Sequence, residues 1–151
     1  MQMSELMTKD IHNKSVLVVD DDERMLRAVD RVLSGEGATV TCSSWAGGAI
    51  GILTEKKAKV DLVIIDLSMP FISGLTAVYA IHSSRPKLPI VVLTGFGSPT
   101  VRAECLQQGA VAFLEKPLDA SALIDAVKDA LSQQESAANL GTKNSIRERN
   151  R

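Results

Sequence analysis

Residues 16–33 read VLVVDDDERMLRAVDRVL, and the change of period inside this stretch decides the fold. VLVV at 16–19 is a continuous apolar run, the pattern of a strand covered on both faces. Three acids follow, Asp20, Asp21 and Asp22. Met25, Val29, Val32 and Leu33 then fall on one helical face, with Gly35 or Gly37 to end it. Strand, acidic turn and helix make one βα unit.

The pattern recurs down the chain. Residues 38–42 read as a short strand, and Ser44 is placed to cap a helix whose Ala46, Ala49, Ile50 and Leu53 share a face. Gly47, Gly48 and Gly51 weaken that helix by about 1 kcal/mol each relative to alanine, so packing must hold it. LVII at 62–65 is a third strand. Pro70 and Gly74 mark the loop after it, and a helix over 74–84 is expected to bury Leu75, Val78 and Ile81. Pro86 and Pro89 break the chain before a fourth strand at 90–93, and a helix over 98–108 stops at Gly109. After a fifth strand at 111–114 comes the clearest helix. There Leu123, Ala126, Val127, Ala130 and Leu131 repeat at helical spacing and Asp119 caps the start. Five strands alternating with five helices imply right-handed crossovers and a parallel sheet, an α/β fold. Periodicity leaves the strand order open.

A chain of 151 residues, 45% hydrophobic, supports a single core. With 17 basic against 18 acidic side chains, no global field draws it toward nucleic acid or an anionic membrane. No apolar run is long enough to span a bilayer, and the polar start has no signal-peptide pattern. Cys42 and Cys105 are expected as reduced, packed thiols, which fits the cytoplasm. Residues 1–14 read as a loose extension, 15–134 as the domain, and 135–151 as a flexible tail ending in the basic TKNSIRERNR.

Polar side chains close the apolar runs: Asp20 and Asp21 after VLVV, Asp66 after LVII, Thr94 after PIVVL, and Lys116 after VAFLE. In a parallel sheet the carboxyl ends of the strands meet at one edge, where open α/β folds place their chemistry. Three carboxylates, a hydroxyl and an ammonium would share one pocket.

The segments VLVVDDDERML, LVIIDLSMPFISGL, VVLTGFGS and GAVAFLEKPLD, taken in order, resemble the receiver domain of two-component response regulators over residues 15–134. The resemblance implies a flavodoxin-like, doubly wound (βα)5 three-layer sandwich of strand order 2-1-3-4-5. Asp20, Asp21 and Asp66 would then lie side by side where the winding reverses, flanked by Thr94 and Lys116. It also implies a cis peptide between Lys116 and Pro117 that aims the lysine inward.

Two unit charges about 4 Å apart interact by roughly 4 kcal/mol at an effective dielectric near 20, so three clustered carboxylates call for a cation. All the donors are oxygens, which favours Mg²⁺ over zinc. The expected ligands are Asp21, Asp66 and the Ser68 backbone carbonyl, with Asp20 direct or through water. Asp66 is the expected phosphoacceptor, since a carboxylate can form an aspartyl-phosphate. Lys116 would offset charge on the transferring oxygens. The donor, by resemblance, is a phosphohistidine on a sensor histidine kinase or a histidine phosphotransfer protein. Thr94 would swing toward the phosphoryl group, and Phe113, where many relatives carry tyrosine, would fill the vacated space. Met69, Pro70, Gly95, Phe96 and Pro117 flank the site. Gly95 leaves it open to the donor, while Phe96 with Ser68 is expected to border the path of hydrolytic water.

Plainer readings compete residue by residue. Asp22 serves only the helix N-terminus. For Asp20 and Asp21 alone, structure and function are evenly matched, and only Asp66 and Lys116 tip the reading to metal binding. His12 and His82 are expected to be solvated, and Trp45 and Tyr79 to be packing residues. With 3% aromatics, this segment suggests no nucleic-acid surface.

The leading function is a phosphorylation-dependent switch, not an enzyme, whose helix 4, strand 5 and helix 5 face controls an unidentified partner. A homodimer formed on phosphorylation is one such output. The stretch after Gln134 is too short for an output domain, leaving a stand-alone receiver or a fragment of a DNA-binding transcription regulator. TGFGS and FLEKPLD resemble receivers of the latter kind. A phosphatase-like hydrolase on the same fold is remoter, since neither cap domain nor substrate pocket is evident.

Overall fold

The computed structural model of the protein describes residues 11–55, 58–70, 73–95 and 97–149, with side chains described as far as residue 134. Phe96 and the first ten residues of the expected extension lie outside the described residues.

Each apolar run is a strand: β1 (Ser15–Val19), β2 (Thr39–Ser43), β3 (Leu62–Ile65), β4 (Ile90–Thr94) and β5 (Ala112–Glu115). Between and after them run α1 (Glu23–Gly35), α2 (Ala46–Thr54), α3 (Gly74–Ser84), α4 (Pro99–Gln107) and α5 (Ala120–Arg149). All strand pairs are parallel, in the order β2-β1-β3-β4-β5. β3 and β4 are buried at every residue and β1 at all but its first, which is why they read as unbroken apolar runs.

Alternation along the strands splits the interior into two layers. Leu17, Val19, Val63, Ile65, Ile90 and Val92 face α2, α3 and α4, meeting Ala46, Ala49, Leu53, Ala77, Val78, Ile81 and Cys105. Val16, Val18, Leu62, Ile64, Val91 and Leu93 face α1 and α5, meeting Leu26, Val29, Leu33, Leu123, Val127, Ala130 and Leu131. Helix, sheet, helix is the three-layer sandwich expected.

Side-chain caps set most helix starts. Asp22 accepts from the Arg24 N–H, Ser73 from Thr76, Ser98 from Val101 and Asp119 from Ala122, at 2.9 to 3.2 Å. α2 departs from expectation: Trp45, not Ser44, is its N-cap, with no side-chain cap bond.

Several expectations are corrected. Ile11 is fully buried under the α1/α5 layer, and Asn13 N–H donates to Gly37 O and Thr39 N–H to Lys14 O, so the packed unit begins before Ser15. On α1 it is Leu26 that joins Val29 and Leu33 as buried, while Met25 and Val32 pack only partly. Cys42 is exposed because β2 is an edge strand; Cys105 alone is the packed thiol. Trp45 and Tyr79 are 57% and 60% exposed and do not pack inside. His82 is only partly solvated: the residue is half-buried, its ring lies against Gly109 and its Nδ1 is buried. Gly109 has φ +116°, and a Cβ there would stand 2.6 Å from that nitrogen. α5 continues to Arg149, through most of the stretch expected as a tail.

Candidate functional site

Adjacent parallel strands bring the acids together. The Asp66 N–H donates to Val19 O (3.0 Å) across the β1/β3 pair, and the Asp20 N–H donates to Ser43 O (3.1 Å) across β1/β2. The strand order thus sets both carboxylates at the carboxyl edge, side by side. Carboxylate oxygens of Asp20, Asp21 and Asp66 all lie within 4.8 Å of one another. Asp20 and Asp66 are buried, and Asp21 is exposed and opens the cluster to solvent.

Local loops hold the two buried carboxylates. Asp20 Oδ1 accepts from the Asp22 N–H (2.9 Å), and Asp66 Oδ1 from the Ser68 N–H (3.2 Å). Asp22 therefore does more than cap α1, because its backbone also orients Asp20. After Asp66 the chain folds back so tightly that Gly74 N–H donates to Leu67 O (3.1 Å). A Cβ on Gly74 would collide with Leu67 and lie 2.9 Å from Asp66 O, so only glycine closes this loop. In the sequence Gly74 reads merely as a loop marker.

Lys116 is delivered from the far side of the sheet. Its N–H donates to Thr94 O (2.9 Å), extending the β4/β5 ladder by one residue, and its peptide bond to Pro117 is cis. Its Nζ donates to Asp20 Oδ2 at 2.9 Å and Asp66 Oδ2 at 3.3 Å. Burial works against the ammonium, but hydrogen bonds and charge from Asp20 and Asp66 outweigh it and raise the lysine above its ordinary range. Asp20 is also raised, chiefly by burial, against the opposing Asp22 N–H and Lys116.

One ammonium against three ionised carboxylates leaves about two negative charges, which a divalent cation would balance. No nitrogen or sulfur donor joins the cluster, which suits a hard ion with oxygen ligands. The residues present therefore fit Mg²⁺.

The other predicted residues that are described lie on β4, β5 and the loops that follow β3, β4 and β5. Thr94 is fully buried at the end of β4. Phe113 sits opposite Val92 on β5, buried in the layer that contains Cys105 and Ile90. Ser68 and Pro70 are exposed on the loop after Asp66, with Met69 partly buried between them. Gly95 and Pro117 are exposed beside Thr94 and Lys116.

Residues 16–128 match the response regulator receiver domain. This chain belongs to that family. Receiver domains of response regulators work in two-component signalling and interact with histidine kinases. The transcriptional regulatory protein GlrR of Escherichia coli (strain K12) is 38% identical over 118 residues, covering 78% of this chain and 26% of the relative. The DNA-binding transcriptional regulator NtrC of the same strain is 31% identical over 117 residues, covering 78% and 24%. The chain thus spans about a quarter of the length of these curated relatives. A response regulator receiver domain protein from Clostridium thermocellum superposes with a TM-score of 0.77 at 28% identity, covering 82% of this chain and 98% of that structure. Among the described residues, no helix is long and apolar enough to cross a membrane.

Proposed function

We propose that this receiver takes a phosphoryl group onto Asp66 from a phosphohistidine donor and thereby switches a partner-binding face. The donor P–N bond breaks as a P–O bond forms to an Asp66 carboxylate oxygen, and the imidazole leaves with the electron pair. The observation that carries this reading is the convergence of Asp20, Asp21 and Asp66 within 4.8 Å, with Lys116 bonded to two of them. Asp21, Asp66, the Ser68 carbonyl and Asp20, direct or through water, would hold Mg²⁺. When bound, that ion supplies positive charge against the phosphoryl oxygens.

The chain's own groups do the rest. Lys116 keeps its charge by its contacts with Asp20 and Asp66 and offers it to the incoming oxygens. A hydrogen bond from Thr94 to the new phosphoryl group is worth roughly 1.5 to 3 kcal/mol, a ten- to hundredfold shift in a conformational ratio. Reversing 1:99 to 99:1 needs about 5.5 kcal/mol, so repacking of Phe113 and binding of a partner must add to it. Leu106 and Val111 are 44% and 41% exposed on the α4 and β5 side, which supports that side as the output face.

Acetyl phosphate and Mg²⁺ followed by intact mass measurement tests the reading. Wild-type protein gains one phosphoryl mass, Asp66→Asn gains none, and Asp21→Ala needs more Mg²⁺. A gain that survives in Asp66→Asn overturns the assignment.

A second reading is favoured by the relatives: the segment serves as the receiver part of a DNA-binding transcription regulator, its phosphorylation driving homodimerisation. Sequencing the complete gene decides it.

A further inference from the structure

We infer that Trp45 is a docking anchor for the protein that donates the phosphoryl group, an inference that rests on the reading of Asp66 as phosphoacceptor. Among the described residues four large hydrophobic side chains are exposed: Trp45, Tyr79, Leu106 and Val111. Leu106 lies in the last turn of α4 and Val111 precedes β5, which places both at the amino edge of the sheet. Tyr79 lies midway along α3. Trp45 alone stands at the carboxyl edge, two residues past the end of β2, where the acidic cluster opens.

Its position is tied to the site through backbone. Ser43 O accepts the Asp20 N–H (3.1 Å), and Ser43 Oγ donates to Trp45 O (2.9 Å). From there the indole lies back over the first turn of α2. A Cβ on Gly47 would collide with the six-membered ring, and one on Gly48 would lie 2.7 Å from the indole Nε1 and 2.8 Å from Ser43 Oγ. Two glycines that weaken α2 by about 1 kcal/mol each thus form the seat of an aromatic ring that still leaves 57% of the residue in solvent.

Packing alone does not require this arrangement, since Trp45 is absent from both buried layers. A rigidly seated aromatic ring with a free face is the kind of group that dominates protein interfaces, because little freedom remains to be lost on binding. Any protein placing a histidine over Asp66 must cover this edge of the sheet, and the indole would meet its surface beside the reacting group. The partner is therefore a phosphohistidine-bearing protein with an apolar patch next to its histidine. A small phosphodonor reaches Asp66 without touching Trp45.

The two classes of donor separate the idea from its premise. Wild-type protein, Trp45→Ala and Gly47→Ala are labelled first with acetyl phosphate and Mg²⁺. They are then labelled with ³²P-phosphorylated histidine-kinase and phosphotransfer domains, using whichever donor labels the wild type fastest. Trp45→Ala is expected to match wild type with acetyl phosphate and to lose about tenfold or more in second-order transfer from the protein donor. Gly47→Ala, which keeps the indole but removes its seat, falls between the two. Transfer to Trp45→Ala within twofold of wild type overturns the inference and leaves the phosphoacceptor reading intact. An equal fall with both donors also overturns it, because the indole would then act on the site itself. If neither donor labels wild type at Asp66, the phosphoacceptor reading fails, and this inference with it.

Discussion

Lys116→Met keeps the aliphatic stem and removes the charge that bridges Asp20 and Asp66. Both carboxylates have side chains only 4% exposed, so water screens their mutual repulsion only weakly. Two unit charges at the 4.8 Å limit of the cluster repel by about 3.5 kcal/mol at an effective dielectric of 20. With the ammonium gone this repulsion is no longer offset, and the recovered desolvation of the ammonium cancels part of it, giving an expected loss of about 2 to 3 kcal/mol in metal-free protein at pH 7.5. That is a large share of the 5 to 15 kcal/mol typical of a domain, on the order of 10 °C in Tm.

The pH dependence comes from the sign of the Asp20 shift. A carboxyl raised in the folded state holds its proton more tightly there than in the unfolded chain. Its burden on stability is therefore absent below the ordinary value of 3.8 and grows as pH rises toward the folded value. The variant relieves its repulsion by protonating one carboxyl, which costs about 1.4 kcal/mol per pH unit above 3.8, or about 1.6 kcal/mol at pH 5. Urea unfolding in EDTA at both pH values measures the deficit, which should shrink to about 1.6 kcal/mol or less at pH 5. Added Mg²⁺ should reduce it at pH 7.5. Equal deficits at pH 5 and 7.5 would refute the electrostatic account and leave only lost packing.

Ile11→Ala should destabilise the protein by about 2 to 5 kcal/mol in urea titrations, although the residue lies in a polar stretch that reads as dispensable. A change under 0.5 kcal/mol would contradict its place in the core. Of the two cysteines, Cys42 should react with a thiol reagent in native protein and Cys105 only on unfolding. Partial desolvation at the sheet and the nearby Asp30 carboxylate raise the exposed Cys42 thiol above its ordinary value, so its native labelling at pH 8 should be slower than that of a free cysteine and accelerate with pH. Gly109→Ala should cost about 1 to 3 kcal/mol, through its positive φ and its collision with His82. Adding His82→Ala should recover only the collision part, measurable as a coupling energy in a double-mutant cycle.

Much of the architecture was legible because the interior strands are covered on both faces. An apolar run such as LVII has no polar alternation to confuse it, and β3 falls at the residues expected, 62–65. The capping carboxylate of Asp119 was equally plain, since a cap acts within three residues of itself. The site was readable for a related reason. Parallel strands share a direction, so residues that end them share an edge, and Asp20, Asp66, Thr94 and Lys116 each end one.

What stayed hidden depended on neighbours far along the chain. Cys42 reads as a core thiol until β2 is known to be an edge strand. Ile11 is one apolar residue among polar ones, and only the fold of α1 and α5 shows the space it fills. His82 and Gly109 are separated in sequence, and a positive φ brings them together without leaving any periodic trace.

The sequence by itself determined which residues stand where strands give way to loops, because local period and end signals act over a few residues. Only the tertiary structure decided that Lys116 pairs with both Asp20 and Asp66, and how near the three acids come. Those facts are distances between elements, set by strand order and by packing across the sheet, to which no stretch of neighbouring residues is sensitive.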